Sequence, residues 1–312
     1  MEPATDRSKM VGAVRFELTT SCTRNKRATR LRYAPTQGRR KVPGLHPNCN
    51  VEFQKSQLCA LLVSLKMFQS SVIGTILNVA AIVAGGLAGL FIRRQPSAAT
   101  QSFFKVALGA LTVFFGLRLT VLSLSGSLGH VLKEIGIVLL SLTLGNLLGK
   151  LLHLQKASNR IGSLTRDRML RATPENRERF TDGFIVCSLL FCAAPLGILG
   201  SIHNGLDRDY FWPLAIKAVM DGLATMSFAA MFGWGVILAA VPVLIFQGTI
   251  TLFCAHSLAP FLQSHGLTDS VDATGGLLIF CVALLIFEVR KVPVTDYLPS
   301  LIFAPLLTWF WR

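Results

Sequence analysis

Beyond about residue 70 the chain alternates long apolar runs with short polar interruptions. Most of the runs approach the roughly 20 residues that a helix rising about 1.5 Å per residue needs to cross a hydrocarbon core of about 30 Å. They do not alternate apolar with polar at a period of two, as the strands of a membrane barrel would. The pattern predicts eight spans, at 72–92, 104–124, 135–152, 181–202, 211–232, 236–254, 275–287 and 297–311. The expected fold is all-α, a polytopic transmembrane helical bundle.

Small residues and helix breakers punctuate these runs. Gly85 and Gly89 in the first span, and Gly145 and Gly149 in the third, are four apart and lie on one helix face, where they let a second helix approach closely. Pro195, followed by Gly197 and Gly200, marks one expected interruption of a span, and Gly248, beside Gln247 and after Pro242, marks another. Such interruptions are tolerated in a bilayer only where protein or a water-lined cavity satisfies the freed backbone groups. Gly233-Trp234-Gly235 reads as a tight reversal. The segment GALTVFFGL (109–117) echoes GLLIFCVAL (276–284), which would relate spans one to three to spans six to eight as an inverted repeat.

The stretch 212–247 concentrates the candidate chemistry. Lys217 and Asp221 lie four apart on one helix face, deep in an otherwise apolar span. Ionisable groups at that depth are costly, and they face a partner or a water-filled cavity. Two readings stay open: a salt bridge that pins the bundle, or a pair that handles a solute or ion. Asn78, Asn146 and Gln247 are further intramembrane polar groups, each readable as an interhelical hydrogen bond or as a substrate contact. Arg118 reads as a snorkelling anchor or an anion contact. Cys187 and Cys192 are five apart with no His or carboxylate to complete a set, so no metal site and no cofactor is expected. The sequence contains no G-x-S-x-G, no H-E-x-x-H and no phosphate-cradling glycine loop, so an enzyme is not expected.

Composition agrees with a membrane class: 52% of the 312 residues are hydrophobic and 15% charged, and the mean hydropathy is +0.54. The formal net charge of +15 is unevenly placed. Residues 1–66 carry thirteen Lys and Arg against four Asp and Glu, with Cys22, Cys49 and Cys59 and no helical or strand period before Leu58. This reads as a disordered basic arm. A second reading is a gene-start artefact. The run RFELTTSCTRNKRATRLRYAP (15–35) resembles the translation of a tRNA gene's opposite strand, and Met67 would then be the start. The domain expectation is thus a 1–66 extension and a 67–312 transmembrane domain.

The other basic residues set the orientation. With eight alternating spans, Arg93, Arg94, Lys105, Lys150, Arg290, Lys291 and seven residues of the hydrophilic segment 153–180 share one face. The positive-inside rule makes that face cytoplasmic, with Pro174 inside and His265 outside. Segment 153–180 also offers an apolar face at Leu154, Ile161, Leu164 and Met169, and Thr173-Pro174 reads as a helix start.

The segments RFTDGFIVCSLLFC, LGSIHNGL, KAVMDGLATMSFAAMFGWGV and VPVLIFQGTITL, with the GTILN…GG…G opening, resemble the YqgA/YdfK-like bacterial membrane family, domain of unknown function 554. The resemblance covers 67–312. Ala193-Ala194-Pro195 departs from the family's small-residue run with Gly, which bears on where the helix breaks. The resemblance implies a multi-pass protein of the bacterial inner membrane, described as a transport protein without an established substrate. The expected function is a transporter or channel for a small solute or ion, and the alternative is a non-transporting scaffold. The lipid bilayer and such a solute are the expected partners, with a homo-oligomer as a further expectation and no nucleic acid.

Overall fold

The computed structural model describes residues 72–92, 97–171, 179–207 and 209–311. The 1–66 extension, Arg93, Arg94, Thr173, Pro174, Arg208 and Arg312 lie outside these. All regular structure among the described residues is helical: α1 (Ile73–Ile92), α2 (Ala98–Ser123), α3 (Leu128–Leu151), α4 (Leu154–Arg171), α5 (Arg179–Ala193), α6 (Pro195–Leu206), α7 (Trp212–Phe232), α8 (Ala240–Phe253), α9 (Ala259–Ser264), α10 (Thr268–Ile286), α11 (Val294–Tyr297) and α12 (Ser300–Phe310).

Among the described residues, five helical stretches are long and apolar enough to cross a membrane, and six if the bent pair α5 and α6 is one span. The chain is an all-α, multi-pass membrane protein. One of the five is a continuous helical run from Trp212 to Ser264, far too long for a single straight crossing. It doubles back instead. The Lys217 stem and the Gln247 amide, thirty residues apart, both lie against Gly197, and α1 meets Gly222 through Gly85 and Ile237 through Gly86. The reversal is the 3₁₀ turn Gly233–Ala239, entered at Gly233 with φ of 76°. A glycine reaches that region without the Cβ clash other residues suffer.

Three helix pairs are built on glycine. A Cβ on Gly85 or Gly89 would strike the Gly222 or Met226 backbone carbonyl, so α1 lies directly on α7. The paired numbers rise together, and the two helices run parallel. Gly116 and Gly276 join α2 and α10 reciprocally, each Cβ position falling on the other's carbonyl, while Gly109 faces Phe287; these helices run antiparallel. The Thr120 hydroxyl donates to the Ala273 carbonyl across the same seam, at 3.4 Å. Gly145 meets Ser300 and Gly149 meets Asp296, which seats α3 on α11 and α12. In a bilayer, where lipid is as apolar as leucine, such close backbone approach is what holds helices together.

Several elements differ from expectation for local reasons. The 275–287 span is longer at its start: α10 begins at Thr268, where Asp269 in the first turn complements the helix dipole. The last span is only eleven helical residues, α12, with Pro305 inside it, preceded by the short α11. The turn expected at 203–210 shrinks, because His203 to Leu206 continue α6. Gly248 does not interrupt its helix: α8 runs through it, and the irregularity is a π turn at Cys254–Leu258. Glycine alone does not break a helix in a medium where every lost backbone bond is expensive. On α4 the side turned inward is Ile161, Thr165 and Met169, in steps of four, while Leu164 is exposed. Arg168 of α4 pairs with Asp182 of α5 at 2.7 Å.

Gly85→Val should therefore lower the thermal midpoint of the full chain in detergent, since an added side chain in a filled contact costs about 1–3 kcal/mol. Gly136→Ala, on α3, meets nothing within 4 Å and should leave the midpoint unchanged or raise it.

Candidate functional site

Five helices meet around Lys217 and Asp221. α7 starts at Trp212, with Pro213 in its first turn where the missing N–H costs nothing. Its register buries Lys217 to 2% exposure and Asp221 to 7%. The Lys217 ammonium donates to Asp221 Oδ2 within the helix, and its Nζ stands 5.7 Å from the centre of the Phe191 ring of α5. That ring face adds a further favourable contact for the cation. The Thr225 hydroxyl donates to the Asp221 backbone carbonyl at 2.6 Å, continuing the polar stripe along α7.

The parallel register of α1 on α7 brings Asn78 to the same place. Its side chain faces the Asp221 carboxylate, and its Nδ2 donates to Gln247 Oε1 of α8 at 3.1 Å. Asn78 and Gln247 are fully buried. Two amides 169 residues apart and a charged pair thus form one connected group on α1, α7 and α8. The fifth helix, α6, begins here: α5 and α6 bend by 56° between Ala193 and Pro195, and Gly197 lies against the Lys217 stem.

The polar group extends in one direction along the bundle. Thr75 sits one turn from Asn78 on α1, and Thr251 one turn from Gln247 on α8. Asn204 of α6 lies against Gly74. All three are fully buried. Among the described residues, Thr75 Oγ1, Asn78 Oδ1, both amide atoms of Asn204, Gln247 Nε2 and Thr251 Oγ1 have no hydrogen-bond partner. These residues lie near the start of α1 and the ends of α6 and α8, so the row runs from the charged pair toward that end of the bundle.

Asn146 does not belong to this group. It lies on α3, which packs on α10, α11 and α12, and its Oδ1 is unpartnered there. The Gly145 and Gly149 contacts dictate that placement. Thr75, Asn204 and Thr251 were not singled out in the sequence, where single Thr and Asn residues in apolar helices are common. A second polar locus also lacked a signal. His203 Nδ1 and Asp272 Oδ1 are 3.2 Å apart, and Tyr210 donates its hydroxyl to the Phe115 carbonyl at 2.6 Å. Burial, with the nearby Asp272 carboxylate, pushes the Tyr210 phenol up, so it remains a donor at neutral pH.

A large cavity lies elsewhere. It is an apolar cleft of about 820 Å³ bordered by Phe253, Phe261, Leu262, Pro305 and Trp309, and neither Lys217 nor Asp221 lines it. A smaller cleft of about 400 Å³ approaches from the side of α4 and the 291–295 segment and ends at Pro195. Among the described residues no three His, Cys, Asp or Glu side chains are grouped to hold a metal.

Residues 73–309 match the family described as Protein of unknown function (DUF554). The chain belongs to that family. It is 28% identical over 234 residues to "Uncharacterized membrane protein YdfK" of Bacillus subtilis (strain 168), covering 75% of this chain and 94% of that protein. It is 30% identical over 245 residues to "Uncharacterized protein YqgA" of Escherichia coli (strain K12), covering 77% and 97%. No solved structure matches the chain.

The Asn78–Gln247 bond is open to a direct check. Asn78→Leu or Gln247→Leu alone strands a buried amide and should cost about 1–3 kcal/mol of stability. The double variant should cost less than the two singles together, read as thermal midpoints of the full chain. Strict additivity would mean that the two amides do not interact.

Proposed function

We propose that this membrane protein is a transporter or channel for a small solute or ion of the bacterial inner membrane, with Lys217 and Asp221 at its centre. The observation that carries the reading is the row of fully buried polar side chains, from Gln247 and Asn78 to Asn204, Thr75 and Thr251, with six atoms whose hydrogen-bonding capacity is unused among the described residues. Buried polar atoms are nearly always satisfied in a protein that only needs to be stable. A row of unsatisfied ones ending at a charged pair and a broken helix fits a path for something polar. The break at Pro195 lies between this row and the cleft on the opposite side, an arrangement suited to alternating access.

The proposed topology has eight passes, obtained by counting the α7–α8 hairpin as two spans, the bent α5–α6 pair as one and α11–α12 as the last. The helix directions support alternation: α1 parallel to α7, α2 antiparallel to α10, α3 antiparallel to the 296–300 segment. The antiparallel packing of α2 on α10 suits the inverted-repeat reading, in which spans two and seven are counterparts of opposite direction. Basic loops then put 153–180 in the cytoplasm. In a cysteine-free background, Pro174→Cys should resist an impermeant thiol reagent applied to whole cells, and His265→Cys should react. The reverse pattern rejects this orientation.

A scaffold role is the competing reading, favoured by the completion of the ion pair within a single helix. The two separate in proteoliposomes holding the full chain, assayed for uptake of small radiolabelled anions, cations and neutral amides. Lys217→Met and Asp221→Asn each leave an unpaired buried charge, with an expected loss of about 3–5 kcal/mol of stability. The double variant should regain stability and move no solute. A stable double variant with full flux would remove the pair from transport.

A further inference from the structure

The apolar cleft of about 820 Å³ lies between two helical walls. One wall is α8 with the π turn Cys254–Leu258 and α9, and the other is α12. Ile202 of α6 and the buried Leu262, Leu267 and Val271 form its floor. Phe253, Ile302, Leu306 and Trp309 on the walls are exposed, so the cleft opens away from the bundle. Each wall carries a distortion. The π turn interrupts the α8–α9 run, and Pro305, which has no N–H, breaks the hydrogen-bond ladder of α12. The walls meet at one end, where the Trp309 ring stands 4.9 Å from His265 and 6.4 Å from Phe261. The lining offers hydrocarbon and little else. The Thr249 hydroxyl already donates to the Ile245 carbonyl at 2.6 Å, and segment 249–267 contains no Lys or Arg.

Position and size decide what such a cleft can take. α8, α9 and α10 belong to stretches that cross the membrane, so the opening meets lipid chains rather than water. At about 1.5 Å per residue, the wall from Thr249 to Phe261 rises about 18 Å and that from Leu301 to Trp309 about 12 Å. One leaflet supplies about 15 Å of a hydrocarbon core of about 30 Å. The cleft is therefore about as long as one leaflet is deep. Trp309 and His265 lie where α9 and α12 end, the level at which rings with a polar edge meet headgroups. A volume of about 820 Å³ over about 15 Å is a channel about 8 Å across. A helix with its side chains needs about 10–12 Å, so a helix of a second copy does not fit, whereas flexible acyl chains do. We infer that the cleft is a binding site for one phospholipid of the leaflet at the Trp309 end, held by its acyl chains. Recognition is by chain length and not by headgroup charge, since the 249–267 wall carries no basic residue. The inference goes beyond the transport reading and does not depend on it. It does adjoin the polar row: Ile202 is two residues before Asn204, and Ile250 directly precedes Thr251, so the bound chains brace the ends of α6 and α8.

The test reconstitutes the full chain in phosphatidylethanolamine vesicles doped with a phosphatidylcholine that carries a diazirine midway along one acyl chain. After irradiation, the label should concentrate on peptides from 249–262 and 301–310. Exposed apolar residues outside the cleft, such as Val121 and Leu139, report the level of ordinary surrounding lipid. Excess phosphatidylethanolamine and phosphatidylglycerol of the same chain length should compete equally, and dihexanoyl phosphatidylcholine, too short to fill the cleft, should not compete. Native mass spectrometry from detergent should find one lipid retained by the native chain and by Leu139→Trp, and lost from Ile302→Trp, whose indole occupies the cleft from its exposed rim. Labelling of the cleft no stronger than at Leu139, or a lipid still retained by Ile302→Trp, overturns the inference. So does a lipid-free dimer that Ile302→Trp splits, which would give the cleft to a second copy. Competition by phosphatidylglycerol alone overturns recognition by chain length. If Ile302→Trp does not fold, the labelling pattern of the native chain decides by itself.

Discussion

The contact of the α1 glycines with the backbone of α7 is the constraint on which the rest of the site depends. Gly85 lies on the Gly222 carbonyl and Gly89 on that of Met226, with no side chain between the helices. That contact fixes both the separation and the register of two helices more than a hundred residues apart in the chain. Asn78 consequently lies close enough for its side chain to face Asp221. Gln247 follows, because α8 folds back on the same pair through the Gly233 turn. Lipid supplies no hydrophobic force to draw helices together, so backbone proximity takes its place.

Around that frame the polar groups are distributed unequally. The charges satisfy one another within α7, and the amides link α1 to α8. The residues toward the start of α1 keep unused donors and acceptors, whereas the opposite approach ends at the bend before α6. One helix, α6, separates the two sides. It presents Gly197 to the Lys217 stem and, two turns on, Asn204 to Gly74. A small rotation of α6 about its bend would alter both contacts together.

Hydropathy made the apolar spans legible because length and apolarity are local properties. The Lys217–Asp221 pair was legible for the same reason, as a spacing of four within one helix. The Asn78–Gln247 bond was not, since nothing local relates residues on two distant spans. Depth in a span gives no direction around the helix axis, and for that reason Asn146 reads like Asn78 although its helix, α3, packs on α10, α11 and α12. Pro195 and Gly248 looked alike as breakers. Only Pro195 lacks the N–H that continues a helix, and only there does the helix bend. Thr75, Asn204 and Thr251 escaped notice because each is unremarkable alone and acquires meaning only beside the others.

The closure of the ion pair inside a single helix also bears on how the protein is made. A lone lysine or aspartate in a nascent span adds about 2.5–3.5 kcal/mol to the cost of leaving the translocon for lipid. Lys217 and Asp221 come into register as soon as the third turn of α7 has formed, so the segment can partition as a neutral unit before any neighbouring helix is positioned to receive it. Biogenesis of the most polar span then does not wait on tertiary assembly, and the glycine seam with α1 can form afterwards within the plane of the membrane.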